Sequence, residues 1–334
     1  MNIILNKRKA GIMPDRTLSI APMMDYTDRH ERYFLRLISK RMLLYTEMVT
    51  CQALVHGDAK RFLRFDESEH PVALQLGGSK PEDLAACSQM AEQAGYDEVN
   101  LNVGCPSDRV KSGKFGACLM AKPQLVTDCF VAMQSNISIP VSIKCRIGID
   151  DQNELLELPL FIEALANAGC NTFIIHARKA WLQGLSPKEN RDVPPLNYEL
   201  VYQIKKNFPQ LNITINGGVN TLVEAANHLK HVDGVMIGRE AYHNPYMLAE
   251  ADQLLYGEDN TIPTRQQILT QFLPYIDQQL KEGIKLTQIS RHILGLFQGL
   301  PGARLYRRYI SENANKPNAD SQVIKDAAKL VQEK

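Results

Sequence analysis

Short hydrophobic runs recur along the chain up to about residue 240, and a longer stretch with helical periodicity follows most of them. The runs are nearly all apolar at their starts and lack strict alternation, as expected for strands that are buried on both faces. Strands that alternate with helices predict a parallel sheet. The predicted strands are residues 18–23, 43–49, 72–78, 98–105, 140–148, 172–178, 212–219 and 234–240.

Helix boundaries between these runs support the alternation. The stretch PEDLAACSQMAEQAG has Pro81 near its start, where a helix tolerates proline, and it stops at Gly95. The stretch NELLELPLFIEALANAG stops at Gly169, although Pro159 interrupts its early part. Eight strand–helix units over about 240 residues have the size of a (β/α)8 TIM barrel. A doubly wound open sheet is the alternative, but no GxGxxG motif follows the first strand.

The pattern changes after Leu255. Residues 256–264 have the composition of a linker, and the segments beyond them have helical periodicity only. Pro274 should kink or break the first of these segments. We therefore predict a barrel domain at residues 1–255 and a smaller, all-helical C-terminal domain at residues 265–334.

The composition fits a globular protein, since 44% of the 334 residues are apolar. The chain contains no run of eighteen uncharged apolar residues, and we interpret its N-terminus as a short tail without the apolar core of a secretion signal. We therefore expect no membrane segment and a cytoplasmic location. Seven cysteines without CxxC spacing predict reduced thiols and give no support for a metal site.

The net charge of +1 conceals an asymmetry along the chain. Residues 261–334 contain eleven Lys/Arg against six Asp/Glu, a balance of +5. The other 27 basic and 31 acidic residues give the rest of the chain a balance of −4. A basic C-terminal region indicates a polyanionic partner, whereas an ordinary solvated helix surface is the alternative that this count leaves open.

Polar and small residues gather at the ends of the predicted strands, where the active sites of barrel enzymes lie. Any one of them alone would fit an ordinary core or rim position. Their occurrence at the same end of many strands favours a site. They are Pro22, Met23, Gln75, Asn102, Cys105, Lys144, Arg146, His176, Arg178, Asn216, Gly217, Gly218, Gly238 and Arg239.

Two of these groups indicate an anionic cofactor. Glycines after strands 7 and 8, with an arginine beside the second, would expose backbone N–H groups to a phosphate. Lys144 lies inside an apolar strand, and a buried ammonium group requires a partner. A reduced flavin is one candidate, with Gln75 at the ring edge. A buried carboxylate such as Glu47 is the other.

Seven motifs together resemble the tRNA-dihydrouridine synthase family: APMMDYTDR, LQLGG, NLNVGCPSDRVKSGKFGACLM, SIKCRIG, IIHAR, INGGV and GVMIGREAYHNPY. The segment HARKAWLQGLSPKENRDVPPLNYE resembles the A subfamily, which reduces uridines 20 and 20a of the tRNA D-loop. The resemblance extends from about Leu18 to Tyr309.

The resemblance implies an FMN cofactor, NADPH or NADH as its reductant, and tRNA, bound at its D-loop and elbow, as the partner. It implies no metal and no protein partner. Cys105 is implied as the proton donor. Asn102, Lys188, Arg191, Arg304 and Arg307 are implied in tRNA recognition. FMN would be held by Ala21, Pro22, Met23, Gln75, Lys144, His176, Asn216, Gly217, Gly218, Gly238 and Arg239.

The implied reaction reduces the C5=C6 bond of uracil, with hydride from reduced FMN to C6 and a proton from Cys105 to C5. A free thiol has a pKa near 8.5, so it is mostly protonated at neutral pH and can act as an acid. An inert buried thiol and a nucleophile are the alternatives, but no helix dipole or nearby histidine is evident to form a stable thiolate. Glycines after Cys105 should let its loop close, and Lys111 and Lys114 on this loop could meet RNA phosphates.

A uracil in folded tRNA must be flipped out to reach the end of a barrel, so the rest of the RNA needs a binding surface. Arg304, Arg307 and Arg308 have i, i+3, i+4 spacing and should share one helix face. The apolar residues of this helix, Leu305, Tyr306, Tyr309 and Ile310, should turn away from that face.

Two other functions stay open at this point. An FMN barrel that acts on a small pyrimidine, like dihydroorotate dehydrogenase, would leave the basic C-terminal region unused. A non-catalytic protein that binds or folds tRNA would leave Lys144 and Cys105 without a role.

Overall fold

The computed structural model describes residues 13–107 and 113–332. Eight parallel strands close into a barrel in sequence order, because β1 pairs with both β2 and β8. This confirms the predicted (β/α)8 TIM barrel. The strands are β1 Leu18–Ile20, β2 Leu43–Thr50, β3 Val72–Gly77, β4 Glu98–Val103, β5 Val141–Arg146, β6 Thr172–His176, β7 Asn212–Asn216 and β8 Gly234–Ile237.

All eight predicted strands occur, and most end two or three residues earlier than expected. The difference lies at their carboxyl ends, where residues such as Gly217, Gly218 and Gly238 already belong to loops. Gly217 and Gly218 have φ of 110° and 73°, which no strand ladder accommodates. The candidate site residues at these ends therefore lie on βα loops as well as on strands.

Helices surround the barrel and continue beyond it. Those around the barrel are Arg29–Ile38, Cys51–His56, Ala59–Phe62, Pro81–Ala94, Pro123–Gln134, Glu154–Asn167, Glu189–Asp192, Tyr198–Asn207, Leu222–His228, Arg239–His243 and Ala251–Tyr256. Those of the C-terminal region are Arg265–Lys281, Leu286–Ser290, Ala303–Asn313 and Gln322–Ala328. Short 3-10 helices occupy Glu67–Glu69, Gly116–Ala121, Pro245–Leu248 and Arg291–Ile293.

Three helix predictions can be compared with these bounds. The helix that begins at Pro81 ends before Gly95, which has the expected left-handed conformation with φ of 95°. Pro159 lies inside a continuous helix. The C-terminal segment TQISRHILGLFQG has helical periodicity, but it forms the short helix Leu286–Ser290, a 3-10 turn and further turns.

Pro274 also lies inside a continuous helix, so of the two expected outcomes, a kink or a break, the break does not occur. A proline in a helix interior costs about 3 kcal/mol. Buried apolar residues flank it on both sides, including Phe272 and Ile276, each fully buried. Each such side chain stabilises the packed helix by about 1.5–3 kcal/mol, which is enough to offset the proline.

The helix Arg265–Lys281 and the 3-10 helix Arg291–Ile293 pack against the first barrel helix, Arg29–Ile38, and the C-terminal region shares its core. Phe34 contacts Phe272 with ring centroids 5.3 Å apart, and Tyr33 stacks on Tyr275 at 3.9 Å. The described part of the chain therefore consists of a barrel and a helical C-terminal region around a continuous apolar core. None of the helices within the described ranges is long and apolar enough to cross a membrane.

Candidate active site

A cavity of about 830 Å³ opens at the carboxyl ends of the strands. Its volume lies in the upper part of the usual range for ligand sites, about 300–1,000 Å³. Strand register explains why distant residues meet there, since neighbouring strands place Asn102 beside Lys144 and His176 beside Asn216. All eleven residues predicted to hold FMN line it: Ala21, Pro22, Met23, Gln75, Lys144, His176, Asn216, Gly217, Gly218, Gly238 and Arg239.

Lys144 donates from Nζ to Oδ1 of Asn216 at 3.0 Å. Burial, together with the positive charge of Arg146, lowers the pKa of Lys144 to about 8. No carboxylate pairs with this ammonium group among the residues that the structure describes. The alternative pairing with Glu47 is therefore wrong, because Glu47 instead accepts the backbone N–H of Asp25 at 2.6 Å. Within the described ranges, the site thus holds a cation whose hydrogen-bond partner is a neutral amide.

His176 occupies the next position around the wall of the cavity. Burial, with the charges of Arg146 and Lys144, lowers the pKa of His176 well below its usual value. The imidazole is therefore neutral at physiological pH. A Cβ added to Gly217 would come within 2.5 Å of Cδ2 of His176, so this position requires glycine for packing as well as for its φ of 110°.

Gly238 keeps a space open beside β1. A Cβ at this position would meet nothing nearer than Ala21 Cβ at 3.8 Å and Met23 Sδ at 3.9 Å, and all three residues line the cavity. Arg239 follows at the rim and pairs there with Asp192 at 2.6 Å. A cation bonded to a neutral amide, an open cradle between β8 and β1, and a rim arginine fit the ring and the phosphate of FMN.

Cys105 lies half-buried on the wall of this cavity, and it alone of the seven cysteines lines it. The backbone N–H groups of Gly104 and Cys105 both donate to Oδ1 of Asn102, at 3.1 and 3.0 Å. The Sγ atom lies 3.5 Å from the hydroxyl of Ser107. Five other cysteines are buried, as expected for inert thiols: Cys51, Cys87, Cys129, Cys145 and Cys170.

Of the five residues predicted to bind tRNA, two line the cavity and three lie outside it. Asn102 and Arg191 line the cavity with Cys105. Lys188 is exposed just before the short helix Glu189–Asp192. Lys114 is exposed, whereas Lys111 lies outside the described residues.

Arg304 and Arg307 lie away from the cavity, on the helix Ala303–Asn313. Arg304 is exposed, and Arg307 donates to the neutral amide of Gln298 at 3.1 Å. Tyr306 and Ile310 are buried as expected. Leu305 is 53% exposed, so the expectation that it turns inward is wrong, because it lies on the outer side of the helix next to Arg304.

Arg146, one of the polar residues at the predicted strand ends, bonds to the backbone at three places. Its buried guanidinium donates to the carbonyl oxygens of Gly104 at 3.0 Å, Lys179 at 2.8 Å and Asn190 at 2.9 Å. It thereby connects the loop of Cys105 with the long loop after β6. Its position two residues after Lys144, on the same face of β5, was the available signal.

Comparison with known proteins finds similarity along nearly the whole chain. The family model described as dihydrouridine synthase matches residues 19–332. A Shewanella oneidensis protein is 58% identical over 318 residues, which cover 95% of each chain. A Vibrio vulnificus protein is 59% identical and covers 95% of this chain and 97% of its own. An Escherichia coli K12 protein is 56% identical and covers 98% and 96%. All three are named tRNA-dihydrouridine(20/20a) synthase.

Proposed function

The chain belongs to the dihydrouridine synthase family, and we propose on this basis that it is the FMN-dependent enzyme that reduces uridine in tRNA to 5,6-dihydrouridine. The name shared by its relatives favours positions 20 and 20a of the D-loop. The observation that carries the proposal is the meeting of Lys144 and Cys105, from two different strand ends, in one cavity. NADPH, or NADH in its place, is the proposed reductant, and the cytoplasm is the proposed location.

FMN would be held by Lys144, His176 and the glycines that follow β7 and β8. Reduced FMN supplies, when bound, the hydride that adds to C6 of uracil. Lys144 offers a positive charge to an anionic ring edge, and Gln75 offers an amide. Gly218, Gly238 and Arg239 would hold the phosphate, because glycine lets the backbone approach an anion closely.

Cys105 is the proposed acid. As hydride adds to C6, an electron pair moves onto C5 and the C4 oxygen, and the Sγ–H bond breaks to give its proton to C5. Asn102 supports this step because its Oδ1 holds the backbone of Gly104 and Cys105 at the cavity wall. The Nδ2 group of Asn102 donates one hydrogen to Gln75, which leaves its second hydrogen for a uracil carbonyl.

The helical C-terminal region is the proposed binding surface for the tRNA body, and the chain would divide between residues 255 and 265. Arg304 and Arg307 would contact phosphates there, while Lys188 and Arg191 would contact the RNA next to the flipped uridine. Arg191 suits this position because it lines the cavity, whereas Lys188 stands outside it.

The test uses the flavin-loaded protein, NADPH and a tRNA transcript without modifications. Mass spectrometry of nuclease fragments should find a gain of two hydrogens at U20 or U20a. A transcript with cytidine at both positions is the matched control and should remain unmodified. Reduction of free uridine but not of tRNA would support the small-pyrimidine alternative, and a protein that binds tRNA but takes up no flavin would support the non-catalytic one.

A further inference from the structure

A column of polar side chains runs through the barrel interior beneath the Cys105 loop. Glu98, Asn100 and Asn102 alternate along β4, so they share its inward face. All three are buried. Barrel interiors are normally filled by apolar side chains, as Ile174 and Met236 fill this one elsewhere. The polar column therefore requires an explanation, because buried polar groups are costly unless each is hydrogen-bonded.

The lower part of the column rests on a carboxylate. Glu98 accepts hydrogen bonds from Arg16, from the hydroxyl of Ser142 and from the hydroxyl of Tyr45 at 2.7 Å. Nδ2 of Asn100 then donates to Oγ of Ser142 at 2.8 Å. Each of these groups is buried, so no water competes for these positions.

The upper part consists of three amides. Nε2 of Gln75 donates to Oδ1 of Asn100 at 2.8 Å, and Nδ2 of Asn102 donates to Oε1 of Gln75 at 2.8 Å. Oδ1 of Asn102 then accepts the backbone N–H groups of Gly104 and Cys105. The column is thus continuous from Glu98 to the loop that carries the thiol.

The carboxylate determines the direction of every bond above it. An ionised carboxylate only accepts, so Ser142 must donate to Glu98 and accept from Asn100. Asn100 must then turn its oxygen toward Gln75, and Gln75 must turn its own oxygen toward Asn102. If Asn102 were inverted, its NH2 group would face two backbone N–H donors, and the loop would lose both hydrogen bonds.

We propose that Glu98, Ser142 and Asn100 are positioning residues that fix the orientation of the Asn102 amide and, through it, hold Cys105 in place for proton transfer. The inference rests on the proposed acid role of Cys105. None of the three touches the cavity, so they act only through Gln75 and Asn102.

Ser142→Ala tests this proposal, because it removes only the hydroxyl that connects Glu98 to Asn100. Ser88→Ala is the matched control, because Ser88 is equally buried and its hydroxyl bonds to Leu84 O at 2.8 Å in a helix outside the barrel. The first measurement is the rate of iodoacetamide alkylation of Cys105, followed by peptide mass spectrometry with and without FMN. We expect alkylation up to about tenfold faster in Ser142→Ala, because a lost buried hydrogen bond loosens the loop.

The second measurement separates kcat from KM. We expect kcat to fall about tenfold at saturating tRNA and NADPH, while KM for tRNA changes much less, because the phosphate contacts proposed for Arg304 and Arg307 are untouched. Ser142→Thr keeps the hydroxyl and should restore both the alkylation rate and kcat. In an Asn102→Ala background, Ser142→Ala should have no further effect on alkylation, because the path through Asn102 is already broken.

Equal alkylation rates and equal kcat in Ser142→Ala and Ser88→Ala would overturn the proposal, and so would additive effects in the Asn102→Ala background. Should Ser142→Ala fail to fold, Asn100→Ala breaks the column one step higher and carries the same expectation. Full turnover by Cys105→Ala would instead reject the acid role of Cys105, while the alkylation rates would still test the positioning column.

Discussion

Lys144 and Asn216 meet across the barrel cavity, where Nζ donates to Oδ1 at 3.0 Å and Nδ2 of Asn216 donates to the carbonyl oxygen of Met236 at 2.8 Å. The second bond fixes the orientation of the amide, so its oxygen always faces the ammonium group. A neutral partner orients the cation without neutralising it. The positive charge therefore remains available to an anionic ligand.

Lys144→Met should weaken FMN binding about ten- to hundredfold, because it removes a charge-assisted hydrogen bond. Fluorescence titration of the apoprotein with FMN measures this change. Lys205→Met is the matched control, since Lys205 pairs with Asp233 at 2.8 Å outside the cavity. Equal affinities in the two variants would contradict a role for Lys144 in holding the cofactor.

The same titration has an expected pH dependence. Because burial lowers the pKa of Lys144 to about 8, the wild-type affinity for FMN should fall as pH rises through that value, and Lys144→Met should lack this fall.

The lowered pKa of Lys144 also affects the stability of the apoprotein. In the unfolded chain Lys144 keeps its proton up to its ordinary pKa of 10.5, whereas in the folded protein it loses the proton near pH 8. Its contribution therefore makes the apoprotein more stable as pH rises from about 8 to 10.5. Thermal unfolding of the apoprotein across that window checks this sign.

Cys105→Ala should retain FMN and tRNA binding and lose about 10²–10⁴-fold in turnover, the usual contribution of a positioned general acid. Cys118→Ala is the control, because Cys118 is also half-buried but lies outside the cavity and donates to Phe115 O at 3.2 Å. Single-turnover assays of dihydrouridine formation measure the loss. Undiminished turnover in Cys105→Ala would exclude the thiol as the acid.

Arg304→Ala combined with Arg307→Ala should weaken tRNA binding and lower the slope of log affinity against log salt by about two. Arg304 is exposed and Arg307 donates to the neutral amide of Gln298, which does not neutralise its charge, so both guanidinium groups can meet phosphates. NADPH oxidation should be unchanged because neither residue lines the cavity. Arg308→Ala, whose arginine pairs with Glu312 at 2.7 Å, is the control. A salt slope equal to that of the wild type would rule out these contacts.

His292 links the helical C-terminal region to the first barrel helix. Its Nε2 lies 3.0 Å from Asp28, and its Nδ1 lies 3.3 Å from Glu31. Burial alone would lower the pKa of His292, but the hydrogen bond to Asp28 and the two negative charges outweigh it and raise the pKa to about 9. The contribution of His292 to stability is therefore complete below its unfolded pKa of 6.5 and is lost as pH rises through about 9.

His292→Gln should lower the free energy of unfolding by about 1.5–3 kcal/mol at pH 6, because it removes a buried charged hydrogen bond to Asp28, which keeps its ion pair with Arg291 at 2.6 Å. The difference from the wild type should shrink by pH 9.5. Urea unfolding at the two pH values measures it, with His231→Gln, at an exposed position, as the control. A difference that does not depend on pH would show that His292 contributes only packing.

Much of the site was predictable because barrel strands place their carboxyl ends at one rim. The glycines after β7 and β8, Gln75, Lys144 and Cys105 were each visible as unsuitable residues for an apolar strand or its end. Their shared position then followed from the fold class alone. The sequence did not reveal that Arg146 holds the loops or that the polar column orients Asn102. The partners of these side chains are groups on other strands and loops, and such contacts leave no pattern in the local sequence.

The order of apolar runs and turn residues determined the closed barrel, the helical C-terminal region and the end of the barrel that carries the site, because periodicity and strand–helix alternation are local properties. Only the tertiary structure decided that Lys144 bonds to Asn216 and not to Glu47, and that Pro274 stays within a helix. It alone decided that Glu98 anchors the amides beneath Cys105. Such partners depend on strand register and packing between residues far apart in sequence, and a linear pattern does not encode these distances.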